Sequence, residues 1–345
     1  MTMKAVVFPG DKVVEIKEVP IPVPGSGEVL IKMKASAICR SDMSLYYGTD
    51  TVVGGEAVKT GNIHPGHEPA GQITQVGDNV SLFKVGDRVA VYLAIGCGVC
   101  AHCRSGYKMF CPDWKCIGFD THGGDADYVV VPEENCMRIP DEMSYVVAAV
   151  STDAVGTLYH AQKRLNINGR DTLVIFGLGP MGGAGVMVAK GLGATVIAVD
   201  MLDERLEVAK ELGADYVING KENVLERIME ITKGRGADAA IDCSGSPFAQ
   251  SQALDSLRAH GRAAFIGEGK ELTIRPSQQL IRKQITVMGS WYFPIFEYDE
   301  ITKFILDRNL PVEKLVSHTF KLEDAETAFR MFDQRETEKA VFIWD

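Results

Sequence analysis

Thr172-Leu173-Val174-Ile175-Phe176-Gly177-Leu178-Gly179-Pro180-Met181-Gly182 is the stretch that decides the fold of this chain. Its first five residues, mostly β-branched or aromatic, read as a buried strand, and the G-x-G-x-x-G turn that follows opens onto an apolar helical run. In such a turn the first Gly allows the tight reversal, the second lets a pyrophosphate approach the backbone, and the third lets helix and strand pack closely. A second match, Gly234-Arg235-Gly236-Ala237-Asp238-Ala239, precedes its strand instead of following one and is set aside.

Downstream, strand candidates recur at 194–199, 216–219, 237–243, 262–267 and 285–288, with helical patterns between them. With 172–176 they make six parallel strands, the pattern of a doubly wound α/β sheet. One intervening helix is predicted over 203–211, because Leu202, Leu206, Ala209 and Leu212 recur at helical spacing and Gly213 stops it. Upstream the texture differs. Short strand-like runs such as 28–33 and 87–92, punctuated by Pro and Gly, imply an irregular and mostly antiparallel domain. Past about 290 an amphipathic stretch at 298–307 and a closing strand at 340–344 suggest a tail that returns to that first domain. The expected organisation is therefore 1–153, 154–290 and 291–345.

Composition agrees with a folded protein of about two domains: 345 residues, 46% hydrophobic and 24% charged. Thirty-six Lys and Arg against 46 Asp and Glu leave a formal charge of -10, and no basic block offers a surface for nucleic acid. The longest uncharged run, 172–189, carries five Gly and a Pro, which suits a turn and not a membrane span. The opening residues lack the apolar core of a secretory signal, so the cytoplasm is the expected address.

Four of the eight cysteines, Cys97, Cys100, Cys103 and Cys111, fall at intervals of three, three and eight. Two consecutive two-residue gaps wrap one ion, and a fourth thiolate closes a tetrahedral, structural zinc site within a lobe spanning 96–112. His102 lies inside this run and competes with the cysteines as a ligand only if one of them is left out. A second constellation is more open. Cys39-Arg40-Ser41-Asp42 and Gly66-His67-Glu68 lie 28 residues apart beside irregular turns, and Thr152-Asp153 stands at the passage into the βαβ half. A thiolate, an imidazole and two carboxylates would form a metal site with an open position.

These four motifs, in this order and spacing, resemble the zinc-dependent medium-chain alcohol dehydrogenases over essentially the whole chain. The resemblance implies a GroES-like irregular β catalytic domain joined to a Rossmann domain. It places catalytic zinc on Cys39, His67 and Asp153, with Glu68 as an exchangeable ligand. Asp153 departs from the liver-type pattern, which has Cys there, and is similar to microbial secondary-alcohol enzymes. The resemblance implies NAD held by Gly177 to Gly182, Gly267 and Ser290, with Arg40 on the pyrophosphate and Arg205 beside the adenosine ribose. Asp200, 23 residues beyond Gly177, is expected to accept the ribose hydroxyls and repel a 2′-phosphate, favouring NAD over NADP. If Asp200 only caps the following helix, that preference is open.

Zinc as Lewis acid and hydride transfer to the nicotinamide are the implied chemistry, with Ser41 beginning a proton relay. Relatives commonly end that relay on a His five residues after the zinc Cys, where this chain has Ser44. Leu93, Trp114 and Trp291 are expected to wall the substrate pocket. The implied substrate is a secondary alcohol, diol or polyol. The alternatives are a sugar or threonine-type dehydrogenase of the same family and a non-catalytic dinucleotide-binding sensor, the last disfavoured by the intact open ligand set. Two zinc ions per chain and a homodimer or homotetramer, paired through the edge strand at 285–288, complete the expectation.

Overall fold

A computed structural model describes residues 1–49, 63–269 and 271–345 of the chain. Two compact units emerge: Met1–Asp153 with Phe293–Leu306 and Val316–Asp345, and Ala154–Tyr292 with Asp307–Leu315. The tail is therefore shared: most of it lies in the first unit, while 307–315 cluster with the second.

The second unit is built on six parallel strands, in spatial order Tyr216–Asn219, Thr195–Asp200, Thr172–Phe176, Ala237–Asp242, Leu257–Phe265 and Thr286–Gly289. The order reverses between Thr172–Phe176 and Ala237–Asp242, and in an open sheet the crevice at such a reversal is where ligands bind. Strands covered on both faces must be apolar throughout, and Leu173, Val174 and Ile175 are fully buried. Val174, Phe176, Ile197, Ile218, Ile228 and Leu254 pack one continuous core. Each contributes about 1.5–3 kcal/mol by leaving water.

Helix Asp203–Glu211 has the predicted bounds; Leu206 and Ala209 are buried on it, and Leu212 is buried just past its end. Leu202 departs from the expected apolar face: it precedes the helix in extended backbone and is 37% exposed. Strand Leu257–Phe265 starts five residues before the predicted 262, because its leading residues Leu257 to Gly261 mix polar and small side chains that give no period-two signal.

The first unit carries a seven-stranded, mostly antiparallel sheet. Strand Glu28–Ala37 is its hub: it pairs antiparallel with Pro69–Val76, with Tyr128–Pro132 and with the closing strand Lys339–Ile343. Val29, Ile31, Met33, Ile73, Val89 and Val129 fill the core beneath it. Short strands Ala94–Ile95 and Lys115–Cys116 pair antiparallel and bracket the cysteine-rich lobe. Among the described residues, no helix is long and apolar enough to cross a membrane.

Candidate metal and dinucleotide sites

Strand pairing brings the scattered ligands together. Ser36 pairs with Pro69, so the end of strand Glu28–Ala37 and the start of Pro69–Val76 lie side by side, and Cys39 and His67–Glu68 sit on the adjoining turns. The bond from Ala37 N–H to the Glu68 carbonyl, at 3.3 Å, fastens those turns. Asp153 comes from a different element, the π turn Ser151–Val155 after helix Tyr145–Val150, which packs on both strands. A π turn inserts one extra residue per turn and re-aims its side chains, a device common at functional sites.

One ligand atom from each of Cys39, His67, Glu68 and Asp153 lies within 4.8 Å of all the others. Cys39 Sγ is 3.2 Å from Asp153 Oδ2, and His67 Nε2 is 3.6 Å from the same oxygen. Zinc bonds of 2.0–2.3 Å in a tetrahedron put ligand atoms about 3.3–3.8 Å apart, so this spacing suits the ion. Burial and then Asp153 push the Cys39 thiol above its ordinary range. Burial likewise pushes the Glu68 carboxyl up, against the pull of Lys339. Its Oε2 is buried without a hydrogen-bond partner. A thiol and a carboxyl whose ionisation is opposed by burial, with one orphaned oxygen, form a donor set completed by a divalent cation.

Two neighbours organise this set, and neither stood out in the sequence. Asp42 is fully buried; its Oδ1 holds His67 Nδ1 at 2.8 Å, and its Oδ2 accepts from Cys39 N–H at 2.8 Å. That bond turns the other ring nitrogen, Nε2, toward the cluster. Burial opposes a charge on His67, but Asp42 and Asp153 beside it outweigh burial and raise its pKa well above the imidazole range. Lys339, 2% exposed, donates from Nζ to Glu68 Oε1. The same ammonium helps hold Asp153 well below the usual carboxylate range, where burial alone would raise it and the bond to His67 lowers it. The one sequence signal for Lys339 was a charge at the head of an otherwise apolar run, Lys339 to Ile343.

Ser41 lies at the cluster, with its hydroxyl 3.4 Å from His67 Nε2. Ser44 donates its own hydroxyl to the Ser41 backbone carbonyl at 2.8 Å and so caps the local turn. Arg40 is exposed, with its guanidinium 6.0 Å from the Tyr47 ring centre. Leu93 is buried and Trp114 half-buried, both in the first unit, whereas Trp291 belongs to the second and is 37% exposed.

In the lobe the sulfurs of Cys97, Cys100, Cys103 and Cys111 also lie within 4.8 Å of one another, without His102. Backbone N–H groups of Cys97, Cys100 and Cys103 point at neighbouring sulfurs at 3.3–3.4 Å, the bonding that favours thiolates. Amide hydrogen bonds from Val99 and Cys100 bring the Cys97 thiol down to about 7, while burial lifts Cys103 to about 12. All eight cysteines are free.

In the second unit Gly177 has φ +84°, and a Cβ on Gly182 would lie 1.9 Å from the Gly177 carbonyl oxygen. Helix Pro180–Gly191 starts on Gly179 with Pro180 in its first turn and no side-chain hydrogen bond capping its N-terminus, and the Arg205 guanidinium lies 3.7 Å from where a Cβ on Gly179 would stand. Backbone N–H groups without a side-chain cap at the positive end of a twelve-residue helix have the geometry that favours an anion. Asp200, at the end of strand Thr195–Asp200, accepts from Leu178 N–H at 2.6 Å and from Leu202 N–H at 3.0 Å. Arg205 stands 3.9 Å from Asp200. Gly267 is pressed against Gly245, and Ser290, 5% exposed, keeps a hydroxyl with no hydrogen-bond partner.

Known proteins carry the same two halves. Residues 25–141 match the alcohol dehydrogenase GroES-like domain, and residues 180–307 match the zinc-binding dehydrogenase family. The chain belongs to the zinc-dependent medium-chain alcohol dehydrogenases, oxidoreductases that act on small molecules with zinc and a nicotinamide dinucleotide. It is 37% identical to the uncharacterized zinc-type alcohol dehydrogenase-like protein YphC of Escherichia coli K12, over 99% of this chain and 98% of that one. It is 35% identical to the L-threonine 3-dehydrogenase of Pyrococcus horikoshii, over 95% of this chain and 94% of that one. Among solved structures, the alcohol dehydrogenase rspB of E. coli CFT073, complexed with NADH, superposes with a TM-score of 0.89 at 28% identity, covering 99% of each chain.

Proposed function

We propose that this chain is an NAD-dependent alcohol dehydrogenase with two zinc ions, acting reversibly on a secondary alcohol, diol or polyol. The observation that carries the reading is the convergence of Cys39, His67, Glu68 and Asp153 within 4.8 Å, around an orphaned Glu68 oxygen. These residues hold the catalytic zinc, and Cys97, Cys100, Cys103 and Cys111 hold the structural one. When bound, the zinc supplies a Lewis acid for an alcohol oxygen, and the dinucleotide supplies a hydride acceptor.

The chain's own residues do the rest. Asp42 fixes the His67 ring, and the Ser41 hydroxyl beside it takes up the substrate proton and passes it toward solvent. Because Ser44 is committed to a backbone carbonyl, the relay leaves Ser41 through water and not through Ser44. Gly177 to Gly182 and Gly267 offer backbone to the dinucleotide, with Ser290 as a further contact. In the first unit, Leu93 and Trp114 are assigned to the substrate side. Asp200 favours NAD, since a carboxylate at this strand end accepts ribose hydroxyls and repels a 2′-phosphate, and Arg205 beside it is already paired.

A threonine-type activity is the second reading, supported by the 35% identity to a threonine dehydrogenase. We assign 1–153 and most of the tail to the catalytic domain and 154–290 to the NAD domain. The edge strand Thr286–Gly289 is the surface on which a second copy pairs. Cysteines set at metal-binding spacing fit a reducing, cytoplasmic address.

The test is NAD reduction over secondary alcohols, diols, polyols, sugars and threonine, on protein of measured zinc content and with a chelator arm. Two zinc ions per chain and chelator-sensitive turnover of a neutral secondary alcohol are expected. One zinc per chain, or turnover indifferent to metal, would overturn the reading.

A further inference from the structure

The glycine-rich turn is one lip of the crevice in the second unit; a single carboxylate organises the other. Asp242 ends strand Ala237–Asp242, the neighbour of Thr172–Phe176 across the reversal of strand order, and its side chain is fully buried. Oδ1 accepts from the Ser244 N–H at 3.0 Å and the Ser244 hydroxyl at 2.6 Å. Oδ2 accepts from the Gly245 N–H at 3.0 Å and the Gln250 side-chain amide at 3.1 Å. Its backbone carbonyl takes the Ile266 and Gly267 N–H groups at 2.9 and 3.0 Å. One residue thus fastens the turn after its own strand to the end of Leu257–Phe265.

The turn it holds has no slack. A Cβ on Gly177 would come within 2.8 Å of the Ser244 Cβ, one on Gly267 within 2.2 Å of the Gly245 nitrogen, and one on Gly245 within 2.1 Å of the Glu268 carbonyl oxygen. The ends of three adjacent parallel strands therefore meet backbone to backbone, and any displacement of the Ser244–Ser246 turn passes directly to Gly177. A carboxylate suits this place because all four bonds to its oxygens come from donors. An amide would turn NH₂ against two of them.

We propose that Asp242 is a positioning residue for the dinucleotide: it sets the Ser244–Ser246 turn as the second wall of the nucleotide crevice. The proposal rests on the reading that this crevice receives a nicotinamide dinucleotide. Asp242 acts on the crevice wall, not on the 2′ position, so its replacement weakens NADH and NADPH by the same factor. Replacing Asp200, in contrast, changes their ratio.

The experiment uses the full-length, zinc-loaded chain. Dissociation constants for NADH and for NADPH are read from nucleotide fluorescence for the wild type, Asp242→Asn and Gln250→Leu, with the melting temperature and the dinucleotide KM and kcat alongside. For Asp242→Asn, Kd and KM are expected to rise about tenfold or more for both nucleotides, with kcat within about threefold. Gln250→Leu removes one donor to Oδ2 and gives a smaller rise, about threefold, so it decides the matter if Asp242→Asn does not fold. A folded Asp242→Asn that melts earlier yet binds both nucleotides as the wild type does would reduce Asp242 to a structural residue and overturn the proposal. So would an unchanged Kd in Gln250→Leu when that variant alone is available. A wild type that binds neither nucleotide would instead sink the functional reading, and this proposal with it.

Discussion

Replacing Gly182 with Ala tests whether the third glycine of the turn is there for packing. The added Cβ would sit 1.9 Å from the Gly177 carbonyl oxygen, an atom of backbone that cannot swing away. Reaching an ordinary contact of about 3.2 Å requires helix Pro180–Gly191 to retreat from the turn by about 1.3 Å. Overpacking of this kind costs about 1–3 kcal/mol. The retreat also moves the helix N-terminus, whose amides are the proposed pyrophosphate cradle, so the same strain appears in binding. At 1.4 kcal/mol per decade it corresponds to a loss of roughly 5- to 150-fold in dinucleotide affinity. Titration of NADH fluorescence, with the melting temperature measured on the same samples, reads both effects. A Gly182→Ala protein with wild-type affinity and wild-type melting would refute the close-packing argument.

Three further outcomes are expected. In zinc-free protein, Lys339→Met strands the buried Glu68 carboxylate without its cation, which costs about 3–5 kcal/mol and lowers the melting temperature by roughly 6–20 °C, while Lys339→Arg restores most of it; a shift under about 2 °C in a thermal scan would count against a buried ion pair. Cys103→Ser removes one sulfur of the lobe, so zinc by atomic absorption should fall from two ions per chain to one while nucleotide binding persists; undiminished zinc would show that the lobe is not a four-sulfur site. His64 is held down to about 4 by burial and by the neighbouring His122. Between pH 6.5 and 4 the unfolded chain therefore binds a proton that the folded chain refuses, so stability is fully present above 6.5 and at most about 3 kcal/mol is lost as the pH falls through that window. His64→Gln should flatten this part of the melting-temperature profile, and parallel profiles would exclude His64 as its source.

Much of the molecule was legible because it depends on local rules. A helical period follows from which face of an element is covered and an unbroken apolar run from burial on both faces, so helix Asp203–Glu211, strand Thr172–Phe176 and the amphipathic stretch that forms helix Tyr298–Asp307 could be placed to the residue. Special backbone chemistry is local too, which is why the turn at Gly177 and the cysteine spacing could be read. Leu202 and the early start of strand Leu257–Phe265 were missed because an end residue's exposure, and the pairing of a polar lead-in, depend on neighbours distant in sequence.

The primary structure by itself determined the two kinds of sheet, the candidate ligands and the glycine-rich turn, since each is written in residue type and spacing over a few neighbours. Tertiary structure alone decided that Lys339 meets Glu68 across 271 positions, that Asp42 locks the His67 ring, that Ser44 is spent on a carbonyl, and that Asp242 braces three strand ends. The reason is physical: a buried charge is tolerable only beside its partner, and which partner it finds is set by strand register and burial, properties of the whole sheet that no short window of residues contains.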